Sequence, residues 1–146
     1  MLLEGEEAKE YVDGIIHEET QVSDRGVDLT VDEVVTAESP TDLDFGGGEE
    51  KIGKTKELSP VKRNEGDDYG WWNLEGGLYI IGFNEEIEVS DGTGIIVPLP
   101  RLTGGGSFHA PVVFTGKLEN GIVLQANPAG LNLKENARIS RLLVRR

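Results

Sequence analysis

The sequence predicts an all-β fold, and three observations carry that expectation. Short runs of β-branched and aromatic residues recur along the chain, clusters of turn-forming residues separate them, and 20 of the 146 residues are glycine. Many short strands at such spacing describe a sandwich or a closed barrel rather than alternating βα units. One short helix at the N-terminus is expected to accompany either architecture.

The elements follow in order. Residues 5–12 form the expected helix: Ala8, Tyr11 and Val12 stand at i, i+3 and i+4, and Glu6 and Glu7 occupy the first turn, where the helix dipole favours anions. Strands are predicted over residues 15–16, 27–31, 78–83, 87–89, 94–97, 111–114, 122–126 and 137–144. Turn signals lie between them at Glu75-Gly76-Gly77, Ser90-Asp91-Gly92, Glu119-Asn120-Gly121 and Asn127-Pro128-Ala129-Gly130. Residues 36–68 read as an acidic, glycine-containing excursion with few apolar anchors and a weak hairpin around Ile52 and Leu58. Residues 103–107, Thr-Gly-Gly-Gly-Ser, read as a flexible loop. The whole chain, 1–146, is expected to be one domain, the usual size for a single core.

Charge divides the chain unevenly. There are 27 acidic and 14 basic side chains, for a net charge of −13. Residues 1–68 hold 20 of the acids and seven of the bases, while residues 69–146 hold seven of each sign. This balance argues against a nucleic-acid binder, which needs a basic face. No apolar stretch is long enough to span a bilayer and no secretory signal pattern opens the chain, so a cytoplasmic location and no membrane partner are expected. With no cysteine there is no disulfide, thiolate metal site or thiol nucleophile.

Several motifs point to chemistry. Gln21 precedes Gly26-Val27-Asp28-Leu29-Thr30, which sets a carboxylate inside an apolar, β-branched run. Asp28 either lies on the solvent face of an alternating strand or is buried against hydrogen-bond partners, a metal or a cavity. Trp72-Asn73-Leu74-Glu75 leads into residues 78–85, and Ile87-Glu88-Val89, Asp91-Gly92 and Gly94-Ile95 follow. Gly130-Leu131-Asn132-Leu133 and Ala137-Arg138-Ile139-Ser140-Arg141-Leu142 close the series. In order and spacing these segments resemble the dCTP deaminase and dUTPase superfamily, in its archaeal, dCTP-deaminase-like branch. The likeness covers most of the chain except the acidic excursion. It implies a β-clip fold, a homotrimer with sites shared between subunits, and a Mg²⁺-bound pyrimidine deoxynucleoside triphosphate as ligand. It also implies dUTP hydrolysis or dCTP deamination.

Residue by residue, the resemblance is incomplete. Where the family carries Pro-Arg-Ser-Ser-Leu, this chain has Pro100-Arg101-Leu102-Thr103. Arg101 is thereby implied as a phosphate-binding or catalytic arginine, and Thr103 is the one nearby hydroxyl. Matching the family's histidine to His109 and its closing glycine to Gly121 places Gly116 where the catalytic aspartate belongs. Where the family's deaminases carry a glutamate, this chain has Gln125, which keeps hydrogen-bonding capacity but takes no proton near neutral pH. Glu119, three residues beyond Gly116, is the nearest substitute base. Arg141 stands where the family has a phosphate-contacting glutamine. Asp28 is implied as a Mg²⁺ ligand through water. His109 is expected to be structural or exposed, one of Trp71 and Trp72 to be core and the other an interface anchor, and Asp42, Asp44, Glu49 and Glu50 to be solvated surface. Two functions follow as expectations: a pyrimidine deoxynucleotide enzyme of weak activity, or a non-catalytic trimeric paralogue serving as a binding or assembly module.

Overall fold

The structure, a computed structural model, describes all 146 residues. In chain order the elements are α1 (Gly5–Ala8) with a 3₁₀ turn at Lys9–Tyr11, β1 (Val12–Asp13), α2 (Glu18–Gln21), β2 (Val22–Ser23) and β3 (Gly26–Ala37). There follow β4 (Thr55–Leu58), β5 (Trp71–Leu74), β6 (Gly77–Phe83), β7 (Glu86–Pro98) and α3 (Pro100–Thr103). The chain ends with β8 (Phe108–His109), β9 (Val112–Lys117), β10 (Ile122–Ala126), β11 (Leu131–Lys134) and β12 (Arg138–Arg145). The fold is all-β, as the turn spacing predicts. The N-terminal helix is present, and two further four-residue helices, α2 and α3, accompany it.

One ten-stranded antiparallel sheet has the order β1-β7-β12-β3-β6-β10-β8, with β2 and β4 on β3 and β9 on β7; β5 and β11 form a second, two-stranded sheet. β3 organises the core. It pairs with β12 through residues 27–30 and with β6 from Val31 onward, and the register shift between Val31 and Glu33 carries it from one ladder to the other. Every residue from Gly26 to Val31 is buried. Both faces of this stretch are therefore covered, and Asp28 has no solvent face to occupy.

Four local expectations change. Residues 15–16 are not a strand, because the backbone N–H groups of Ile16 and His17 donate to Gln21 Oε1 rather than to a neighbouring strand. Ser90-Asp91-Gly92 is no turn but a bulge inside β7, whose register with β9 shifts between Val89 and Gly94. A Cβ at Gly94 would run into the ring of Phe114, which packs against it. The Thr-Gly-Gly-Gly-Ser stretch is not loose: the amides of Gly104, Gly105 and Gly106 donate to the carbonyls of Pro100, Leu102 and Thr103, continuing the turn of α3. The excursion is also tied down. β4 pairs with the end of β3, Asp42 bridges to Lys51, and Val61 bridges to Trp71.

Two surfaces bear on function. Leu78, Ile80, Phe108 and Val123 are exposed, and the register of β6, β10 and β8 places them on one outward face around Gln125. At the second, on β5, Trp71 is half-buried, whereas Trp72 is core, with its Nε1–H donating to the Leu58 carbonyl. No helix is long and apolar enough to cross a membrane.

Candidate nucleotide site

The site starts from the buried Asp28. Its Oδ2 accepts from Arg138 Nη1 at 2.9 Å and its Oδ1 accepts from Arg141 Nε at 3.0 Å. Arg138 and Arg141 lie three apart, a spacing that puts side chains of a regular strand on opposite faces. The register of β12 against β3 shifts between Arg138 and Ser140. That extra residue restores the parity and lets both guanidinium groups reach one carboxylate. A buried acid without such partners would be strongly unfavourable.

Arg138 then opens onto a cavity of about 430 Å³ that also receives Arg101, Lys134, Asn136 and Trp71. Arg101 is brought there by α3, whose preceding residue is tied to β12 through Leu99 N–H donating to the Ile139 carbonyl. Neither Arg101 nor Lys134 has a carboxylate within 4 Å. The one acid lining the cavity, Glu135, accepts from the backbone N–H of Gly70 at 2.7 Å. Asn136 holds a left-handed conformation, φ 68°, which asparagine tolerates better than most residues. It lines this cavity and a smaller one on the other side of Arg138, beside His17 and Thr20.

A hydrogen-bond network built on Glu85 backs the arginines. Gln21 Nε2 donates to the Asp28 carbonyl and to Glu85 Oε2, both at 2.9 Å. Thr30 donates its N–H to Glu85 Oε1 at 2.7 Å and its hydroxyl to Glu85 Oε2 at 2.6 Å. Asn84 Nδ2 donates in turn to Thr30 Oγ1 and Asn136 Oδ1. The network thus runs from the N-terminal segment to the cavity wall.

The residues singled out from the sequence are not brought together within one chain. Arg101 lines the cavity. Arg141 gives its Nε–H to Asp28 and does not line the cavity. Thr103 is exposed, with Oγ1 turned back to the Pro100 carbonyl at 3.4 Å. Gln125 sits on the outward apolar face of β10. Glu119 lies in the turn after β9, on a separate cavity of about 270 Å³ shared with Glu33, Glu85, Glu86 and Lys117. Gly116 has φ +73°, and a Cβ built on it meets nothing within 4 Å.

Asp28 has both oxygens held by guanidinium groups, so a divalent cation beside it would face Arg138 and Arg141. No group of three or more His, Asp or Glu side chains converges elsewhere. The donor set does not fit a protein-held Mg²⁺. His109 is buried: Nδ1–H donates to the Ala110 carbonyl at 2.9 Å, and Nε2, 2.8 Å from Ser140 Oγ, accepts from that hydroxyl. Burial pushes its pKa below the ordinary histidine value.

Lys134 and Asn136 carry no motif signal; Arg138 belongs to the closing Arg-Ile-Ser-Arg motif, whose spacing becomes meaningful only with the bulge, and Trp71 to an adjacent tryptophan pair able to stack on a base.

The fold and the cation-lined cavity define an all-β protein with a site suited to a phosphorylated ligand. A dCTP deaminase from Agrobacterium tumefaciens superposes over 98% of this chain with a TM-score of 0.64 at 13% identity, and the chain spans 47% of that protein's length. A probable deoxyuridine 5'-triphosphate nucleotidohydrolase from Methanosarcina mazei is 33% identical over 137 residues, covering 90% of this chain and 76% of the relative. Another so named, from Aeropyrum pernix, is 33% identical over 135 residues, covering 89% and 79%. No family model matches the chain. The chain belongs to the dUTPase and dCTP deaminase superfamily.

Proposed function

We propose that the cavity between Arg101 and Arg138 takes the phosphates of a pyrimidine deoxynucleoside triphosphate, and that turnover of dUTP or dCTP is slow. One observation carries the reading. In a chain of charge −13, Arg101, Lys134 and Arg138 converge on one cavity whose single acid is already hydrogen-bonded to backbone. Guanidinium groups supply several donors in a fixed plane, which suits phosphate oxygens. Arg138 gives one donor to Asp28 and keeps others for a ligand. Asp28 therefore orients Arg138 rather than acting on the nucleotide.

Slow turnover follows from the positions of Gly116 and Gln125. A water attacking phosphorus or the pyrimidine ring needs a base within hydrogen-bond reach, and neither residue can accept its proton. Glu119 is the substitute carboxylate that this reading assigns, though within one chain it lines a different cavity from Arg101. Association into a homotrimer would bring such elements together between copies. The exposed face around Gln125, with Leu78, Ile80, Phe108 and Val123, supports an interface there. The alternative, a trimeric paralogue that binds without turnover, is favoured by the same two missing carboxylates.

Thermal unfolding with increasing dUTP and dCTP tests the binding. A ligand present at 100 times its Kd stabilises the native state by about 2.7 kcal/mol, and Arg101→Gln should abolish most of that shift. Absence of any shift with both nucleotides would sink the reading. Gly116→Asp combined with Gln125→Glu should raise dUTP or dCTP turnover on the order of 10²-fold, the lower end of what a general base contributes.

A further inference from the structure

The geometry points to a contribution from the acidic excursion to this same cavity: Trp71 is its aromatic wall, and Arg63 is a further cation delivered to its rim. The inference rests on reading the cavity as a nucleotide site. It extends that site into residues 36–68, which carry none of the motifs quoted for the family.

Trp71 lines the cavity with Arg101 and Arg138. The Arg63 guanidinium lies over the Trp71 ring, 3.6 Å from its centroid, and Lys134 lies 5.8 Å from it. Arg63 is followed closely by Glu65, Asp67 and Asp68, yet it pairs with none of them within 4 Å. Asp67 instead accepts from the Asn64 N–H, closing the loop on itself. A mobile surface arginine beside three acids would ordinarily pair with one; here it stacks on an aromatic face.

The placement is built into the backbone. Val61 and Trp71 exchange both N–H···O bonds at 2.8 Å. Trp72 Nε1–H donates to the Leu58 carbonyl, and Gly70 and Glu135 exchange two further bonds. The segment carrying Arg63 is thus fastened to β5 and β11, which form one wall of the cavity. Arg63 is exposed and free to move a short way from the ring to an anion. A planar base entering the cavity meets the indole, while its phosphates meet a guanidinium group that is already oriented.

Intrinsic fluorescence reads this directly, because the chain has two tryptophans and Trp72 is buried. Tripolyphosphate, deoxyuridine and dUTP would be titrated separately, with binding followed independently by calorimetry. The expected result is a change of Trp71 emission with dUTP and with tripolyphosphate, lost in Trp71→Phe. Arg63→Gln should weaken tripolyphosphate and dUTP binding on the order of three- to tenfold; Arg63→Lys should recover part of it. Circular dichroism would establish that each variant is folded. If dUTP binds by calorimetry but leaves the emission unchanged, and Arg63→Gln binds as tightly as the parent, the inference is overturned while the site stands. If no probe binds the parent protein, the nucleotide reading itself fails and takes this one with it.

Discussion

Asp28 and Glu85 are buried to the same extent, each 4% exposed, and one side chain, Gln21, touches both residues. Their surroundings nevertheless differ in kind. Asp28 is neutralised by two guanidinium groups, whereas Glu85 has no cation within 4 Å and is held by Thr30 and Gln21 donors. Burial of a carboxylate is therefore not in itself a sign of function. What separates the two is what their partners have left to offer. Arg138 reaches onward into a cavity with unused donors, while the donors around Glu85 are consumed inside the fold.

Breaking Asp28 should have the largest effect. Asp28→Ala leaves two partly buried guanidinium groups without a counter-ion and should destabilise the protein by about 3 kcal/mol, near the low end for a broken buried pair because both arginines keep some solvent contact. Urea denaturation would measure the loss, and dUTP-dependent stabilisation should fall with it. Glu85→Gln should cost less, about 1–2 kcal/mol, since the shape is kept but an amide NH₂ must face donors from Thr30 or Gln21. Nucleotide binding by Glu85→Gln should match that of the parent. If both variants lost binding equally, the distinction between the two carboxylates would not hold.

The smallest expected effect concerns pH. Burial lowers the folded pKa of His109 below its unfolded value of about 6.5. The unfolded chain then binds the proton first, so stability is complete above about pH 6.5 and falls as the pH drops toward the folded pKa. His109→Asn should flatten that part of the stability profile. A profile unchanged by the substitution would show that His109 has no part in it.

These carboxylates also show how far the sequence could be read. Asp28 stood out because it interrupts a β-branched run, and Arg101 because of the proline-arginine motif around it. Glu85 was hidden, being one acid of the Asn-Glu-Glu turn before β7, with nothing in the residue type to say that it faces inward. The same limit explains Ser90-Asp91-Gly92, whose composition suits a turn and a bulge equally. It also explains β5 and β11, whose alternating polar residues carry a weak strand signal until each finds the other.

Composition, turn residues and ordered motifs were enough to establish an all-β member of this superfamily, because residue type and spacing are local properties of the chain. The pairing of Asp28 with both Arg138 and Arg141, and the gathering of Arg101, Arg138 and Trp71 around one cavity, depended on the folded arrangement. A one-residue register shift in β12 decides which side chains share a face, and contacts spanning as many as 113 positions decide which charges are neutralised. Neither is written in any short stretch of sequence.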